Sequence, residues 1–420
     1  MSPAATGSPS RDVVASIEQP PAALYVHVPF CVSLCPYCDF VVYAGAAARG
    51  PRNRISAFVT ALESELRLRA DALDARWPDG RPPLETLYFG GGTPSLLSPS
   101  AVGELIALVR DRFGLAVDAE VTLEANPGPD ERGNARGFAT AGVTRISIGA
   151  QSLDAAELRR LGRRHRPEDV AEAVAAARDA GLRSVSVDLL YDIPGRTIDT
   201  WEATLETMLK LEPDHLSLYA LTLDDPDSEG LTGVVGDHLP TTSGARRWRE
   251  RARSEQDDDN AAGQYVHAVE RLAGDGWRGY EISNWARSGH ESRHNLVYWK
   301  RRPYEAVGPG AHAFDGRTRR WNAARLAAYV NALAPATGSP PSRPPGGSEV
   351  IDEATARAEA LILALRTDEG VAVASAWDAD TDGAFNWAAA EGLTTVSRDD
   401  RIVLTTRGRL LSNELFARLV

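Results

Sequence analysis

The sequence has few cysteines, no long apolar run and no surplus of positive charge. Only three of its 420 residues are cysteines, and they fall within one short segment at Cys31, Cys35 and Cys38. So small a group excludes a secreted protein stapled by several disulfides. No apolar run approaches the roughly 20 residues that span a bilayer, which excludes an integral membrane protein.

The charge balance and the N-terminal segment exclude further classes. Asp and Glu total 58 against 46 Lys and Arg, which gives a net charge of −12. Because nucleic-acid binding requires clustered cations, no nucleic-acid partner is expected. Residues 1–22 are rich in Ser, Pro and Ala and contain no apolar core of signal-peptide length. They predict a disordered tail on a cytoplasmic protein.

The following part of the chain alternates β-rich runs with amphipathic stretches. Segments with helical spacing, such as 53–70, separate the β-rich runs. The six runs with strand composition are 24–28, 84–89, 120–123, 145–148, 184–190 and 215–223. This order predicts an α/β fold with a parallel sheet, either a barrel or a doubly wound sheet.

Polar or glycine-rich residues mark the ends of these predicted strands. Gly90-Gly91-Gly92 follows the second strand, Glu124 ends the third and Gln151 follows the fourth. Asp188 lies late in the fifth strand. Such residues gather at the C-terminal mouth of a β/α barrel. We therefore expect a partial (β/α)6 barrel over residues 23–240.

The C-terminal half divides by composition. Residues 241–262 are polar and predict a solvated, irregular insertion, whereas 263–333 contains the aromatic motif discussed below. Residues 334–350 are rich in Pro, Gly and Ser, which is typical of a linker. Residues 351–420 predict a small helical domain with a winged-helix-like shape. An acidic stretch at 378–382 argues against DNA binding by that domain.

The spacing Cys31-x3-Cys35-x2-Cys38 is the most informative feature. Three thiolates on one short loop can bind three irons of a [4Fe–4S] cluster and leave the fourth iron open to another ligand. A zinc site completed by His27 is one alternative, since structural zinc takes four ligands. A fortuitous group of core cysteines is another.

This spacing, with Tyr37 just before the third cysteine, resembles the radical S-adenosylmethionine (SAM) superfamily. The resemblance implies a partial β/α barrel, a [4Fe–4S] cluster and SAM bound to the open iron through its amino and carboxylate groups. It also implies that the reduced cluster passes one electron to the SAM sulfonium, which yields methionine and a 5′-deoxyadenosyl radical.

The wider set of motifs is similar to one subgroup, the oxygen-independent coproporphyrinogen oxidases and the HemW heme chaperones. The similarity extends from about residue 24 to the C-terminus, outside the insertion and the linker. It implies that the three cysteines bind the cluster. It implies SAM contacts for Tyr25, Tyr37, Gly91, Gly92, Thr93, Glu124, Gln151, Arg163 and Asp188. Asp192 and Arg196 depart from the subgroup, because 191–197 reads YDIPGRT where YGLPGQT is usual.

Two features favour the chaperone over the oxidase. The oxidase has a fourth cysteine two residues after the third, where this sequence has Phe40. The segment HNLVYW, from His294 to Trp299, resembles the HemW motif linked to heme binding. Radical-SAM decarboxylation of coproporphyrinogen III is the alternative function. A cluster-containing interaction protein without SAM chemistry is a third hypothesis.

The same motif supplies the candidate heme residues His294, Tyr298 and Trp299. Imidazole is a suitable axial ligand for heme iron, and aromatic faces suit a porphyrin. The run 300–302 (KRR) offers cations for the propionates. A hydrogen-bonded core histidine is the alternative interpretation of His294. Other candidate ligands are His27, His290 and His312.

The chaperone hypothesis also implies partners. A heme-accepting protein would receive the heme, and an electron donor would reduce the cluster. A homodimer is plausible for the family.

Overall fold

The structure is a computed structural model that describes residues 18–50, 53–334, 339–376 and 381–420. The predicted N-terminal tail therefore lies almost wholly outside the described residues. Within the described ranges, no helix is both long and apolar enough to cross a membrane.

The strands and helices follow in chain order. The strands are β1 (Ala23–Val28), β2 (Phe30–Cys31), β3 (Tyr43–Ala44), β4 (Leu84–Gly91), β5 (Leu115–Ala125), β6 (Arg145–Gln151), β7 (Ser184–Tyr191), β8 (His215–Ala220), β9 (Arg278–Gly279), β10 (Asn284–Ala286), β11 (Tyr304–Val307), β12 (His312–Phe314), β13 (Thr318–Asn322), β14 (Gly346–Val350), β15 (Val371–Ala372), β16 (Thr394–Val396) and β17 (Arg401–Leu404). The α-helices are α1 (Ile55–Arg76), α2 (Pro99–Phe113), α3 (Ala135–Ala141), α4 (Ala155–Arg160), α5 (Pro167–Asp179), α6 (Ile198–Leu209), α7 (Ser243–Glu255), α8 (Asp258–Gly274), α9 (Arg293–Trp299), α10 (Leu326–Leu333), α11 (Glu353–Leu365), α12 (Val373–Ala376), α13 (Asp382–Ala390), α14 (Thr406–Leu410) and α15 (Ser412–Phe416).

The main sheet contains the six predicted strands side by side. In the described part of the chain its order is β14-β13-β12-β11-β1-β4-β5-β6-β7-β8-β10-β9. The strands β1 and β4 to β8 are all parallel. The predicted α/β fold with a six-stranded β/α core is confirmed. A further parallel strand, β11, pairs with β1; its four residues are too short for a periodic signal.

The parallel strands alternate apolar and polar side chains. Val26, Leu87 and Leu123 are fully buried in the core that the helices cover. The intervening residues, including Tyr88 and Ser147, line a cavity on the opposite face. Because successive side chains of a strand point to opposite faces, this alternation gives the sheet an apolar outer side and a polar inner side.

The helix α2 begins where a Ser-Pro pair predicts it. The Ser98 hydroxyl accepts a hydrogen bond from the backbone N–H of Ala101, and Pro99 occupies the first turn. Both features satisfy or remove donors that a helix N-terminus leaves unpaired.

The expectation of irregular structure at 241–262 is wrong, because α7 and the start of α8 occupy most of this segment. Arg249 of α7 is buried and donates to the carbonyls of Pro36 (3.1 Å) and Cys38 (2.9 Å). The segment therefore holds the cysteine loop. The helix could not be predicted from an apolar stripe, because its buried face contains an arginine in place of the usual apolar residues.

The C-terminal part combines helices with a small sheet. The end of the predicted linker forms β14, which pairs with β13 and corrects that part of the prediction, whereas 335–338 lie outside the described residues. Beyond it, α11 to α15 enclose a core that includes Leu361, Phe385 and Leu415. A three-stranded sheet in the order β15-β17-β16 completes this part of the described chain. The predicted helical character of 351–420 is confirmed.

Candidate functional site

A cavity of about 550 Å³ opens beside the carboxyl ends of β4 to β8. Its size is within the range of pockets that enclose a small molecule. We call it the first cavity. It brings together Cys31, Cys35, Cys38, Tyr37, Gly91, Gly92, Glu124, Gln151, Arg163 and Asp188. Thr93 is buried behind Cys31, and Tyr25 lines a different cavity.

Cys31 ends the two-residue strand β2, and Cys35 and Cys38 lie on the loop that follows it. Cys31 Sγ is 3.2 Å from Thr93 Oγ1, and Cys35 Sγ is 3.7 Å from Arg163 Nη1. Burial raises the pKa of Cys31 to about 12 and also raises the pKa of Cys38. The thiols of Cys31 and Cys38 therefore hold their protons, and a metal group that binds them must displace those protons.

The donor set fits an iron–sulfur cluster better than a single zinc ion. His27 is already bonded at both nitrogens, since Nε2 is 2.9 Å from Val41 O and Nδ1 is 3.1 Å from Tyr25 OH. Across the described ranges, no three His, Cys, Asp or Glu side chains are placed to hold one metal ion. A cubane offers three irons to three thiolates, so the sulfurs need not converge on one point.

The glycine turn shapes the wall of the first cavity. Gly91 has φ of +102°, and its N–H donates to Glu124 Oε2 at 2.9 Å. A Cβ at Gly92 would lie 2.7 Å from the carbonyl oxygen of Phe30, which excludes any side chain. Tyr88 OH donates to Glu124 Oε1 at 2.8 Å. Both carboxylate oxygens are therefore oriented, while burial raises the pKa of Glu124 to about 7.

A second carboxylate lies on the adjoining strands. Ser147 Oγ is 3.2 Å from Asp188 Oδ1, and burial raises the pKa of Asp188 to about 6. Gln151, at the end of β6, has φ of +68° beside a register shift in the strand. Such a conformation in a residue with a side chain is uncommon and is concentrated at functional sites.

Arg163 joins the cysteine loop to the strand ends. Its Nη2 donates to Asn126 Oδ1 at 2.5 Å and to Gly149 O at 2.6 Å. Asn126 in turn donates to Thr93 Oγ1 at 2.9 Å. Sequence reasoning missed Asn126, although it lies two residues after Glu124 in the motif EANP. It also missed Tyr88, which strand alternation could have placed on the inner face.

In the loop that departs from the subgroup pattern, aspartate stands at position 192, where the subgroup usually has glycine. Asp192 adopts φ of +57°, a conformation for which glycine is the usual residue. Its N–H donates to Gln264 Oε1 at 3.1 Å. Arg196 is buried and paired with Glu157. Each replacement therefore has its own partner.

The predicted heme histidine is a buried, fully bonded side chain. His294 Nδ1 is 2.7 Å from Thr86 Oγ1, and Nε2 is 2.7 Å from Tyr298 OH. Burial lowers the pKa of His294 to about 3. This geometry matches the alternative interpretation of His294 as a hydrogen-bonded core residue. His290 lies apart from it, with Nε2 4.0 Å from Asp214 Oδ1.

The rest of the HNLVYW region divides between two environments. The Cζ atom of Arg366 lies 4.7 Å from the ring centroid of Trp299. Trp299 lines neither the first cavity nor the second cavity described below. The predicted propionate-binding cations pair with carboxylates instead. These pairs are Lys300 with Glu369, Arg301 with Glu359 and Arg302 with Glu85. Tyr298 alone of the three predicted heme residues reaches a cavity wall.

That wall belongs to a second cavity of about 310 Å³. Sequence reasoning named several of its residues separately but did not place them together. It missed Asp237, His238 and Tyr304, because no local spacing links them. The lining residues of the second cavity are Tyr25, His27, Phe40, Val41, Asp237, His238, Tyr298, Tyr304, Gly310 and His312.

Comparisons with known proteins show the family to which the chain belongs. A family model for the Radical SAM superfamily matches residues 25–208. A protein named heme chaperone HemW from Mycobacterium tuberculosis is 37% identical over 403 residues, which covers 95% of each chain. The chain belongs to the HemW family of the radical SAM superfamily. The resemblance predicted from the cysteine spacing, Phe40 and HNLVYW is thereby confirmed.

A second relative and a solved structure are also similar to this HemW-family chain. The heme chaperone HemW of Escherichia coli is 35% identical over 308 residues, covering 72% of this chain and 74% of that one. The solved structure of the Escherichia coli coproporphyrinogen III oxidase HemN, a radical SAM enzyme, matches with a TM-score of 0.76 and 21% identity. That match covers 96% of this chain and 91% of the oxidase, and shows a shared fold.

Proposed function

We propose that this protein is a heme chaperone that binds a [4Fe–4S] cluster and SAM, holds heme and transfers it to an acceptor hemoprotein. The observation that carries the proposal is the first cavity, where three cysteines and seven further predicted residues meet in a HemW-family chain. The acceptor hemoprotein and an electron donor for the cluster are the partners that this function requires.

The three cysteines are the proposed cluster ligands. Their loop is fixed from two sides, by Arg249 on the backbone carbonyls and by Thr93 beside Cys31. A cluster bound there would supply one electron for cleavage of the SAM sulfonium. Because Phe40 stands where the oxidases have a fourth cysteine, this segment offers three thiolates to the cluster.

The remaining residues of the first cavity are the proposed SAM contacts. Glu124 and Asp188 are oriented acceptors for hydroxyl or ammonium donors, since Tyr88 and Gly91 hold one and Ser147 bonds the other. Arg163 offers a guanidinium to the SAM carboxylate, a pairing that its planar fork favours. The Gly91–Gly92 backbone lets the ligand approach without Cβ obstruction.

Heme carriage is supported by the relatives named heme chaperone HemW and by the HNLVYW segment. Of the predicted heme residues, Tyr298 lines the second cavity and His294 bonds to its hydroxyl. Trp299 supports the same helix against Arg366. We propose that the motif contributes to the heme site chiefly through Tyr298.

The test is anaerobic reconstitution of the full chain followed by two parallel assays. Heme is titrated into the protein and followed by its Soret absorbance, and coproporphyrinogen is incubated with the reduced protein and SAM. We expect saturable heme binding and no decarboxylated tetrapyrrole. Absence of heme binding would contradict the chaperone function, and formation of protoporphyrinogen would favour the oxidase alternative.

A further inference from the structure

The second cavity contains a carboxylate between two imidazoles. Asp237 Oδ1 is 3.0 Å from His238 Nδ1, and Asp237 Oδ2 is 2.7 Å from His312 Nε2. Although burial opposes ionisation of Asp237, the hydrogen bond from His238 and the nearby His312 hold its pKa below the ordinary value. The ionised carboxylate therefore fixes the orientation of both rings.

The two histidines differ in which nitrogen they leave available. His238 bonds to Asp237 through Nδ1, and no partner within the described chain occupies its Nε2. His312 bonds to Asp237 through Nε2, so only its Nδ1 is left to bind a metal. Because Nδ1 is the ring nitrogen nearer to the Cβ atom and the backbone, a porphyrin bound there would be crowded. A metal-binding histidine commonly donates its other N–H to a carboxylate. His238 has this arrangement, with 28% of its side chain exposed.

The remaining walls suit a flat aromatic ligand. Tyr298 and Tyr304 pack edge to face with ring centroids 4.6 Å apart, and Tyr25 lines the same cavity. Phe40 lines both cavities and is 60% exposed, so it offers an apolar face at the rim. A bound porphyrin would cover such a face, and burial of aromatic surface is favourable.

Gly310 permits the close approach of the segments that form the cavity. Its φ is +76°, and a Cβ there would lie 2.5 Å from Val41 Cγ2 and 3.0 Å from Asp237 O. A residue with a side chain would push the Asp237–His238 segment away from the cavity.

We propose that heme binds in the second cavity with His238 Nε2 as an axial ligand of the iron and Asp237 as the residue that positions this imidazole. This inference rests on the proposed heme-chaperone function and locates its cargo. A single imidazole suffices to ligate heme iron. His294 has a different role, because its Nε2 is bonded to Tyr298 and holds that tyrosine in the cavity wall.

The experiment is a hemin titration of the full chain, read by Soret absorbance and by EPR of the ferric heme. His238→Ala should lose the imidazole-ligated spectrum, and free imidazole should restore it, while far-UV CD and SAM binding stay as in the wild type. Asp237→Asn should keep the spectral class but weaken heme binding by roughly tenfold, as loss of a carboxylate partner does for metal-bound histidine.

His290→Ala is the matched control, because its imidazole lines neither cavity, and it should leave the titration unchanged. A wild-type spectrum and affinity in His238→Ala would overturn the inference. Loss of heme binding in His294→Ala, with His238→Ala unaffected, would place the ligand at the HNLVYW motif instead. Failure of the wild-type chain to bind heme would refute the proposed function itself, and is therefore a distinguishable result.

Discussion

The two cavities differ in how the chain builds them. The first is assembled mainly from the ends of consecutive parallel strands and from one cysteine loop, so most of its residues lie at positions that strand order dictates. The second is assembled from distant segments, including 25–27, 237–238 and 310–312, that meet only in the folded chain. A site built from the ends of regularly repeated strands can be predicted from sequence. A site built from distant loops cannot, because no local pattern links its residues.

The cavities also differ in chemistry, and one helix touches both. The first is lined by three thiols, four carboxyl groups and one imidazole, whereas the second is lined by three imidazoles, one carboxyl group and no thiol. Asn295 of α9 lines the first cavity, and Tyr298 of the same helix lines the second. The HNLVYW segment therefore contributes one residue to the wall of each cavity.

The largest expected effect is the loss of the cluster from the first cavity without a change in heme binding. Cys35→Ala should abolish cluster assembly, since a [4Fe–4S] cluster would lose one of three protein ligands. Iron content and visible absorbance measure the loss, and far-UV CD should stay unchanged because Cys35 lies on a loop outside the core. Heme binding should persist. Ser33→Ala in the same loop is the control, and retention of the full cluster in Cys35→Ala would refute its ligand role.

A smaller effect on stability is expected from the buried carboxyl group of Glu124 in the first cavity. Because the pKa of Glu124 is raised to about 7, the folded state holds a proton that the unfolded state releases, and stability falls as pH rises through that value. Glu124→Gln cannot titrate, so relative to wild type it should gain up to about 3 kcal/mol between about pH 5 and about pH 8.

Urea unfolding of the cluster-free chain at the two pH values measures this difference. The exposed Glu104→Gln on α2 is the control. An equal difference between Glu124→Gln and wild type at both pH values would show that the carboxyl group is not held in the raised-pKa environment described above.

The smallest expected effect probes the second cavity alone. Gly310→Ala should lower the free energy of unfolding by about 1–2 kcal/mol through its left-handed backbone and should also weaken heme binding, since its Cβ would meet Val41 and Asp237. Gly289→Ala is the matched control, because Gly289 has φ of +83° and no atom of the described residues lies within 4 Å of its Cβ position. It should show the stability loss without the heme effect. Equal heme affinity in both variants would contradict the geometry proposed for this cavity.

Sequence reasoning reached the first cavity because its signals are local. The cysteine spacing, the glycine run and the polar strand ends each occupy a few consecutive residues, and apolar runs located the six strands. It missed β11, whose four residues are too short for a period, and α7, whose buried face is Arg249 and Ala252 rather than an apolar stripe. The Asp237–His238 pair could not be found, because its value depends on the approach of Gly310 and His312.

The separation of the two sites is tested most directly by titrating the reconstituted chain with SAM and heme together. SAM binding is followed by calorimetry and heme binding by Soret absorbance, each with and without the other ligand. We expect both ligands to bind at the same time, because the sites proposed for them are different cavities. Displacement of SAM by heme would contradict this, since it would place both ligands in the first cavity.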